Sequence, residues 1–70
     1  MVRDHVASSC LRSVGYDARA QVLELEFVSS AVYRYTAVPR RVHRELLDAS
    51  SLGRYFNRAI MGRYEYRKVA

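Results

Sequence analysis

Cysteine is scarce in this sequence, which excludes covalent and metal cross-links that depend on it. Cys10 is the single cysteine, so the chain can form no internal disulfide. The two histidines, His5 and His43, lie far apart, and with one cysteine they cannot supply the four ligands of a structural zinc ion. We therefore expect no metal and no cofactor. Cys10 is interpreted as a small apolar residue of the first strand.

Long apolar runs are absent as well. Residues 1–5 are polar and no extended hydrophobic stretch follows them, which argues against a signal peptide and a membrane span. The expected location is therefore the cytoplasm, where a single thiol stays reduced. Half of the 70 residues are hydrophobic, which predicts one globular domain over residues 1–70. A chain of this size buries only about 60% of its unfolded surface, so its core is small.

The only proline, Pro39, separates a first half with strand periodicity from a second half with helical periodicity. Residues 10–16 and 21–28 alternate in polarity, as strands do. Apolar and acidic side chains of the second stretch fall on opposite faces, with Leu23, Leu25 and Phe27 on one and Glu24 and Glu26 on the other. Gly15 indicates a bulge or a close backbone approach in the first stretch.

A third strand, at residues 33–36, forms a hairpin with the second, and the length of the loop between them decides its register. A two-residue loop pairs Val28 with Ala31 and turns Arg34 into the core, where an unpaired charge is expensive. A three-residue loop pairs Val28 with Val32 and turns Arg34 outward, towards the glutamates. We therefore predict the three-residue loop and a meander of three antiparallel strands.

The predicted register also decides what Tyr33 and Tyr35 do. It places Tyr33 beside Phe27 and Tyr35 beside Leu25. We expect both rings to pack on the core while their hydroxyl groups reach solvent, as amphipathic aromatic side chains commonly do. The other register would expose both rings.

Helical spacing of the apolar residues begins after Pro39. Because proline is favoured at the first position of a helix, we predict that Pro39 is the first residue of a helix. Val42, Leu46 and Ala49 share one face of this helix. We predict that it ends at Asp48, whose charge opposes the helix dipole there.

Residues 52–61 predict a second helix, for which Ser50-Ser51 supplies the N-cap and which Gly62 follows in the left-handed conformation. Its buried face consists of Leu52, Phe56, Ala59 and Ile60. Residues 63–69 alternate again and indicate a short strand or an extended tail. The expected fold class is thus α+β: a three-stranded antiparallel β-meander, two short helices, and a short C-terminal strand or extended tail.

The formal net charge is +5, and all of the excess lies in the second half. Residues 1–35 carry four arginines and four acids, whereas residues 36–70 carry eight basic residues and three acids. Eleven of the twelve basic residues are arginine, which forks onto phosphate and stacks on aromatic rings. This distribution favours an anionic partner, although a solvated arginine-rich surface has the same composition.

Basic and aromatic side chains interleave towards the C-terminus, as they do in proteins that bind single-stranded nucleic acids. The candidate binding residues are Arg54, Tyr55, Arg58, Arg63, Tyr64, Tyr66, Arg67 and Lys68. Further candidates, if the hairpin register exposes them, are Tyr33, Arg34 and Tyr35.

An ordered set of short motifs resembles the KTSC domain family over nearly the whole chain, about residues 6–69. The set consists of Ser8-Ser9, Val14-Gly15-Tyr16-Asp17, the strand Leu23 to Phe27, Tyr33-Arg34-Tyr35 with Val38-Pro39, and Tyr55-Phe56-Asn57 with Ile60, Gly62 and Tyr64. That family occurs as small bacterial and phage proteins and at the C-terminus of some lysyl-tRNA synthetases. The resemblance implies an RNA-binding role through the synthetase context, and no catalytic activity.

The chain departs from the family pattern at four places. Cys10 stands where asparagine is common, the loop at residues 29–31 lacks the usual glycine, and Glu65 stands where proline is frequent. Leu52 replaces a common lysine, which removes one positive charge from the expected binding surface.

Two functions from different classes fit these features. We predict a non-catalytic module that binds RNA or single-stranded DNA. The alternative is a protein-interaction module that docks on an acidic partner, because arginine and tyrosine are also enriched in interface hot spots. An enzyme that uses Glu24 and Glu26 is disfavoured, because Arg34 faces them and so small a domain has little room for a pocket that shifts their pKa values.

Overall fold

The computed structural model describes residues 1–70 and shows a five-stranded antiparallel sheet with two short helices packed on one face. In chain order the elements are β1 (Arg3–His5), β2 (Leu11–Asp17), β3 (Val22–Phe27), β4 (Val32–Tyr35), α1 (Arg40–Asp48), α2 (Leu52–Tyr55, continued by a π-helical turn at Phe56–Ile60) and β5 (Tyr66–Lys68). The strands lie in their chain order, β1 to β5. The α+β class is confirmed, but four strands precede the helices where three were predicted.

β1 was not predicted, because its three residues are all polar and show no alternation. This strand forms at the edge of the sheet by pairing Asp4 with Val14. Gly15 permits the pairing, since a Cβ atom there would lie 2.8 Å from both the Val2 carbonyl oxygen and Arg3 Cγ. The close backbone approach predicted at Gly15 is therefore confirmed, and β1 is the segment that approaches.

The start of β2 differs from the prediction. Cys10 is exposed and precedes the strand, so its interpretation as an apolar strand residue was wrong. A bulge between Leu11 and Ser13 then shifts the register against β3. Leu11 and Val14 both reach the core as a result, each 1% exposed, although strict alternation puts them on opposite faces.

The β3–β4 hairpin has a loop of three residues, but it lies one residue earlier in the chain than predicted, between Phe27 and Ala31. Ser30 adopts a left-handed φ of 77° and donates its N–H to the Phe27 carbonyl, which closes the turn at this point. The predicted pairing of Val28 with Val32 was therefore wrong, and Val32 lies opposite Glu26.

Tyr33 and Tyr35 keep their predicted face, because the register differs from the predicted one by two residues. Tyr33 lies opposite Leu25 and Tyr35 opposite Leu23. Tyr35 is buried and Tyr33 is half-buried, so the prediction that both rings pack on the core is confirmed.

α1 ends at Asp48 as predicted. Pro39 is its N-cap, with an extended ψ of 154°, and not its first helical residue. α2 begins after Ser51, whose hydroxyl accepts the N–H of Arg54, so the predicted cap is confirmed.

The predicted second helix is not a uniform α-helix. Its second part winds as a π-helix, and the Met61 N–H donates to the Phe56 carbonyl at 2.9 Å. Tyr55, Phe56 and Ile60 are all buried in this segment, whereas an α-helical stripe predicts burial of the last two only. Gly62 follows with φ of 77°, as predicted for the residue after the helix.

The core lies between the helices and the covered face of the sheet. It consists of Leu11, Val14, Leu23, Leu25, Tyr35, Val38, Val42, Leu46, Tyr55, Phe56 and Ile60. Neither helix is long and apolar enough to cross a membrane. We call the sheet face opposite the helices the open face.

Candidate nucleic-acid interface

β5 pairs with β4 and distributes the C-terminal candidates over both faces of the sheet. Tyr66 lies opposite Tyr35, and Lys68 lies opposite Tyr33. Directly opposed residues of an antiparallel pair project to the same face, so Tyr66 and Lys68 share the helix side with those tyrosines. Arg67 projects to the open face. The predicted terminal strand is confirmed, but its candidate residues do not form one surface.

On the helix side, aromatic rings line a groove of about 540 Å³ between the β3–β4 hairpin and the end of α2. We call this the aromatic groove and define it by Phe27, Tyr33, Tyr35, Phe56, Met61 and Tyr66. Phe56 forms its floor, with ring centroids 5.4 Å from Phe27 and 5.8 Å from Tyr35 in edge-to-face geometry. Because Tyr35 and Phe56 are buried, the floor is held in place by the core.

Tyr66 forms the exposed rim of the aromatic groove. Its ring centroid lies 5.7 Å from that of Tyr33 and 5.6 Å from that of Tyr35, and the residue is 62% exposed. Met61, another lining residue, is also exposed. The groove therefore offers flat, accessible aromatic surface on a rigid base.

Burial changes the pKa of Tyr35 in the groove floor. It raises the pKa of Tyr35 to about 12, and the neighbouring hydroxyls of Tyr33 and Tyr66 act in the same direction. The Tyr35 hydroxyl therefore stays protonated to a higher pH than that of an ordinary tyrosine. No carboxylate or imidazole lines the groove.

Tyr55 does not contribute to this surface, although it was one of the candidate binding residues. It is 7% exposed, and its hydroxyl donates to Glu45 Oε1 at 2.8 Å. Burial and this hydrogen bond raise the pKa of Tyr55 to about 12. The guanidinium of Arg58 lies 5.6 Å from the ring centroid of Tyr55, so this ring is covered and cannot stack on a base.

The remaining helix candidates lie beside acidic side chains. Arg54 and Arg58 line a shallow pocket together with Glu45 and Asp48. Their positive charge is therefore partly compensated within the fold. Glu45 also pairs with Arg41, one helical turn away, at 3.9 Å.

Arg63 and Tyr64 lie in the turn that joins the second helix to β5. Tyr64 is half-buried and packs against the core, whereas Arg63 is exposed directly after Gly62, a lining residue of the aromatic groove. Of this pair, Arg63 is the more exposed.

On the open face, Glu24 binds two arginines. Arg34 donates from Nε to Glu24 at 2.6 Å, so the predicted pairing of Arg34 with a facing glutamate is confirmed. Arg3 Nη1 lies 3.1 Å from the same carboxylate. Sequence reasoning missed Arg3 because it missed β1, and Gly15 is the only sequence signal that a segment crosses there.

The second glutamate of the open face is held in a similar way. Ser13 donates to Glu26 at 2.7 Å, and Arg12 lies 3.6 Å from it. These contacts, the serine hydrogen bond first, lower the pKa of Glu26. The carboxylates of Glu24 and Glu26 are therefore both engaged in hydrogen bonds or ion pairs with neighbouring side chains. No group of three or more His, Cys, Asp or Glu side chains could hold a metal ion.

Comparison with known proteins agrees with this architecture. The family model of the KTSC domain matches residues 7–64. The chain belongs to the KTSC domain family. A crystal structure of a KTSC domain protein from Yersinia pestis superposes with a TM-score of 0.96 at 38% identity, covering 99% of this chain and 97% of that one.

Relatives of this KTSC domain occur both alone and within longer proteins. An uncharacterized protein of Stutzerimonas stutzeri is 50% identical over 70 residues, which cover 99% of each chain. A lysine–tRNA ligase of Trichormus variabilis is 36% identical over 76 aligned residues, which cover 99% of this chain but only 14% of the ligase. A similar domain is thus part of a longer, tRNA-related enzyme in that organism.

Proposed function

We propose that this KTSC domain binds single-stranded nucleic acid, RNA in particular, weakly and without strong sequence preference, and that bases stack in the aromatic groove. The observation that carries the proposal is Tyr66, an exposed ring held against a buried aromatic floor. Every base has a π face, so stacking of this kind tolerates any sequence. A duplex keeps its base faces stacked internally and cannot offer them to the groove.

Positive charge near the groove supports the same function. Lys68 shares the helix side of the sheet with Tyr33, and exposed Arg63 follows Gly62 at the groove. These cations fit the phosphates on either side of a stacked base. The relationship to a lysine–tRNA ligase segment also supports a nucleic-acid-related role.

Fluorescence anisotropy with labelled mixed-sequence RNA, single-stranded DNA and duplex DNA tests the proposal. We expect the single strands to bind at about 50 mM salt and to bind much more weakly at about 200 mM, because phosphate contacts release counterions. Tyr66→Ala should cost about 1–3 kcal/mol of binding free energy. Tyr66→Phe is the matched control, since it keeps the ring and should bind as the parent does.

The charged residues provide a second comparison in the same assay. Lys68→Ala should weaken binding to all sequences and flatten the dependence of log affinity on log salt by about 0.7. Arg54→Ala, beside Asp48 and away from the groove lining, should leave that slope unchanged. A folded parent protein that binds no single strand at the lower salt would refute the proposal and favour an acidic protein partner.

A further inference from the structure

A row of directly opposed residues crosses the open face of the sheet from one edge to the other. The row, from β1 to β5, is Arg3, Gly15, Glu24, Arg34 and Arg67. It contains three arginines and one carboxylate. The open face therefore concentrates positive charge along one line, on the opposite side of the sheet from the aromatic groove.

Glu24 fixes the orientation of Arg34 within this row. The glutamate is 5% exposed and accepts from Nε of Arg34 at 2.6 Å. The two terminal nitrogens of Arg34 make no hydrogen bond in the structure, and 44% of the side chain is exposed. A guanidinium anchored through Nε presents its remaining donors outward in a defined direction.

Arg67 lies directly opposite Arg34 and has no carboxylate within ion-pair distance, since the four ion pairs of the structure all involve other residues. Like charges directly opposite on neighbouring strands repel each other. The fold thus holds two cations side by side, and Glu24 contacts only one of them. An anion that contacts both guanidinium groups would relieve this repulsion.

Arg34 and Arg67 also line one groove of about 960 Å³, together with Met1, Val2, Thr36 and Tyr66. Two carboxylates line the same groove. Asp17 is engaged, because its Oδ1 accepts the N–H groups of Arg19 and Ala20. Glu65 lies in the groove but forms an ion pair with neither arginine. The groove gives a ligand access to both guanidinium groups.

We propose that the pair Arg34 and Arg67 binds a phosphate group on the open face, at a site separate from the aromatic groove. Guanidinium forks match the oxygens of phosphate, and a tetrahedral anion has enough oxygens to face two forks at once. The inference stands on the open-face geometry and does not depend on the proposed stacking function. The phosphate belongs either to a free phosphate ligand or to a nucleic-acid backbone.

Side-chain NMR of the arginine Nε–Hε groups tests this site with inorganic phosphate at constant ionic strength. We expect saturable shifts at Arg34 and Arg67, and no saturable shift at Arg54 or Arg58. Arg67→Gln should weaken the affinity for phosphate roughly three- to fivefold, the size of one exposed ion pair. Arg54→Gln is the matched control and should leave the affinity unchanged.

A short abasic oligonucleotide distinguishes the two sources, because it carries phosphodiesters but no base to stack. Tighter binding of the abasic strand than of inorganic phosphate, reduced by Arg67→Gln, assigns the site to a nucleic-acid backbone. Binding of inorganic phosphate alone assigns it to a free phosphate. Equal shifts at all exposed arginines, or an affinity that Arg67→Gln leaves unchanged, would overturn the site.

Tyr66→Ala separates this inference from the proposed function. Tyr66 lines both grooves, but it brings no charge to the arginine pair. The substitution therefore removes the stacking ring and should leave the saturable phosphate shifts at Arg34 and Arg67 in place. Phosphate binding in a protein that fails to bind single strands would therefore refute base stacking and retain the arginine site. A protein that binds single strands but shows no shift at Arg34 and Arg67 would refute the arginine site and retain base stacking.

Discussion

Tyr35 and Tyr55 show how burial sets the chemistry of single side chains in this domain. Removal from water raises the pKa of each hydroxyl to about 12. Glu45 also raises the pKa of Tyr55, because its carboxylate accepts a hydrogen bond from the hydroxyl and would repel a tyrosinate. The first tyrosine belongs to the floor of the aromatic groove, and the second anchors α2 to α1. Both functions need the neutral, protonated ring.

The raised pKa values predict a loss of stability at alkaline pH. Unfolding returns each hydroxyl from about 12 to its ordinary pKa of 10, so the unfolded state releases these protons first. The stabilisation is complete below pH 10 and decreases as the pH rises from 10 towards about 12. Tyrosinate absorbance should show a late-titrating fraction in the folded protein, which Tyr35→Phe and Tyr55→Phe each reduce by one tyrosine. An unchanged late fraction in both variants would contradict the burial argument.

At the scale of elements, β1 depends on a glycine in its neighbour. Arg3 reaches Glu24 across Gly15, where a side chain would meet the Val2 carbonyl oxygen and Arg3 Cγ at 2.8 Å. A backbone atom cannot yield as the end of a flexible side chain can. Gly15 therefore connects the docking of an edge strand to an ion pair two strands away.

Gly15→Ala should destabilise the domain by about 1–3 kcal/mol, because β1 must move to make room for the methyl group. Gly53→Ala is the matched control: its Cβ would meet the Cys10 sulfur at 2.9 Å, and that exposed side chain can rotate away. Urea denaturation of both variants measures the difference.

A thermodynamic cycle with Arg3→Ala tests the connection itself. If Gly15→Ala displaces Arg3 from Glu24, then Arg3→Ala should cost less in the Gly15→Ala background than in the parent. Equal costs in both backgrounds would show that Gly15 and the Arg3–Glu24 pair are independent.

At the scale of the whole molecule, one sheet separates two chemically different surfaces. The helix side carries the core and the aromatic groove, whereas the open face carries the row of three arginines and Glu24. The molecule is small, with a radius of gyration of 10.6 Å and eleven residues in its core cluster. A few buried rings must therefore provide much of its stability.

Phe56→Ala should cost about 3–5 kcal/mol, because Phe56 is buried and contacts both Phe27 and Tyr35. In a domain with so small a core this loss is enough to unfold most of the protein. Circular dichroism during heating measures it. A variant that melts cooperatively near the parent temperature would mean that Phe56 contributes little to the core.

The sequence by itself determined the features that depend on local periodicity. Alternation over residues 21–28 gave β3 and its apolar face, and the spacing of Val42 and Leu46 gave α1 with its end at Asp48. The cap at Ser51 and the left-handed Gly62 were predictable for the same reason, because a cap or a turn depends on a few adjacent residues.

Only the tertiary structure decided the features that depend on distant partners. β1 is a strand because β2 accepts it at Gly15, and Tyr55 is buried because it packs in the core and its hydroxyl bonds to Glu45 of α1. Tyr66 and Arg67 are adjacent in the sequence and lie on opposite faces of the sheet. Pairing with β4 decides which of the two side chains lies on the helix side. That pairing joins segments more than thirty residues apart, and a pattern within one segment cannot specify it.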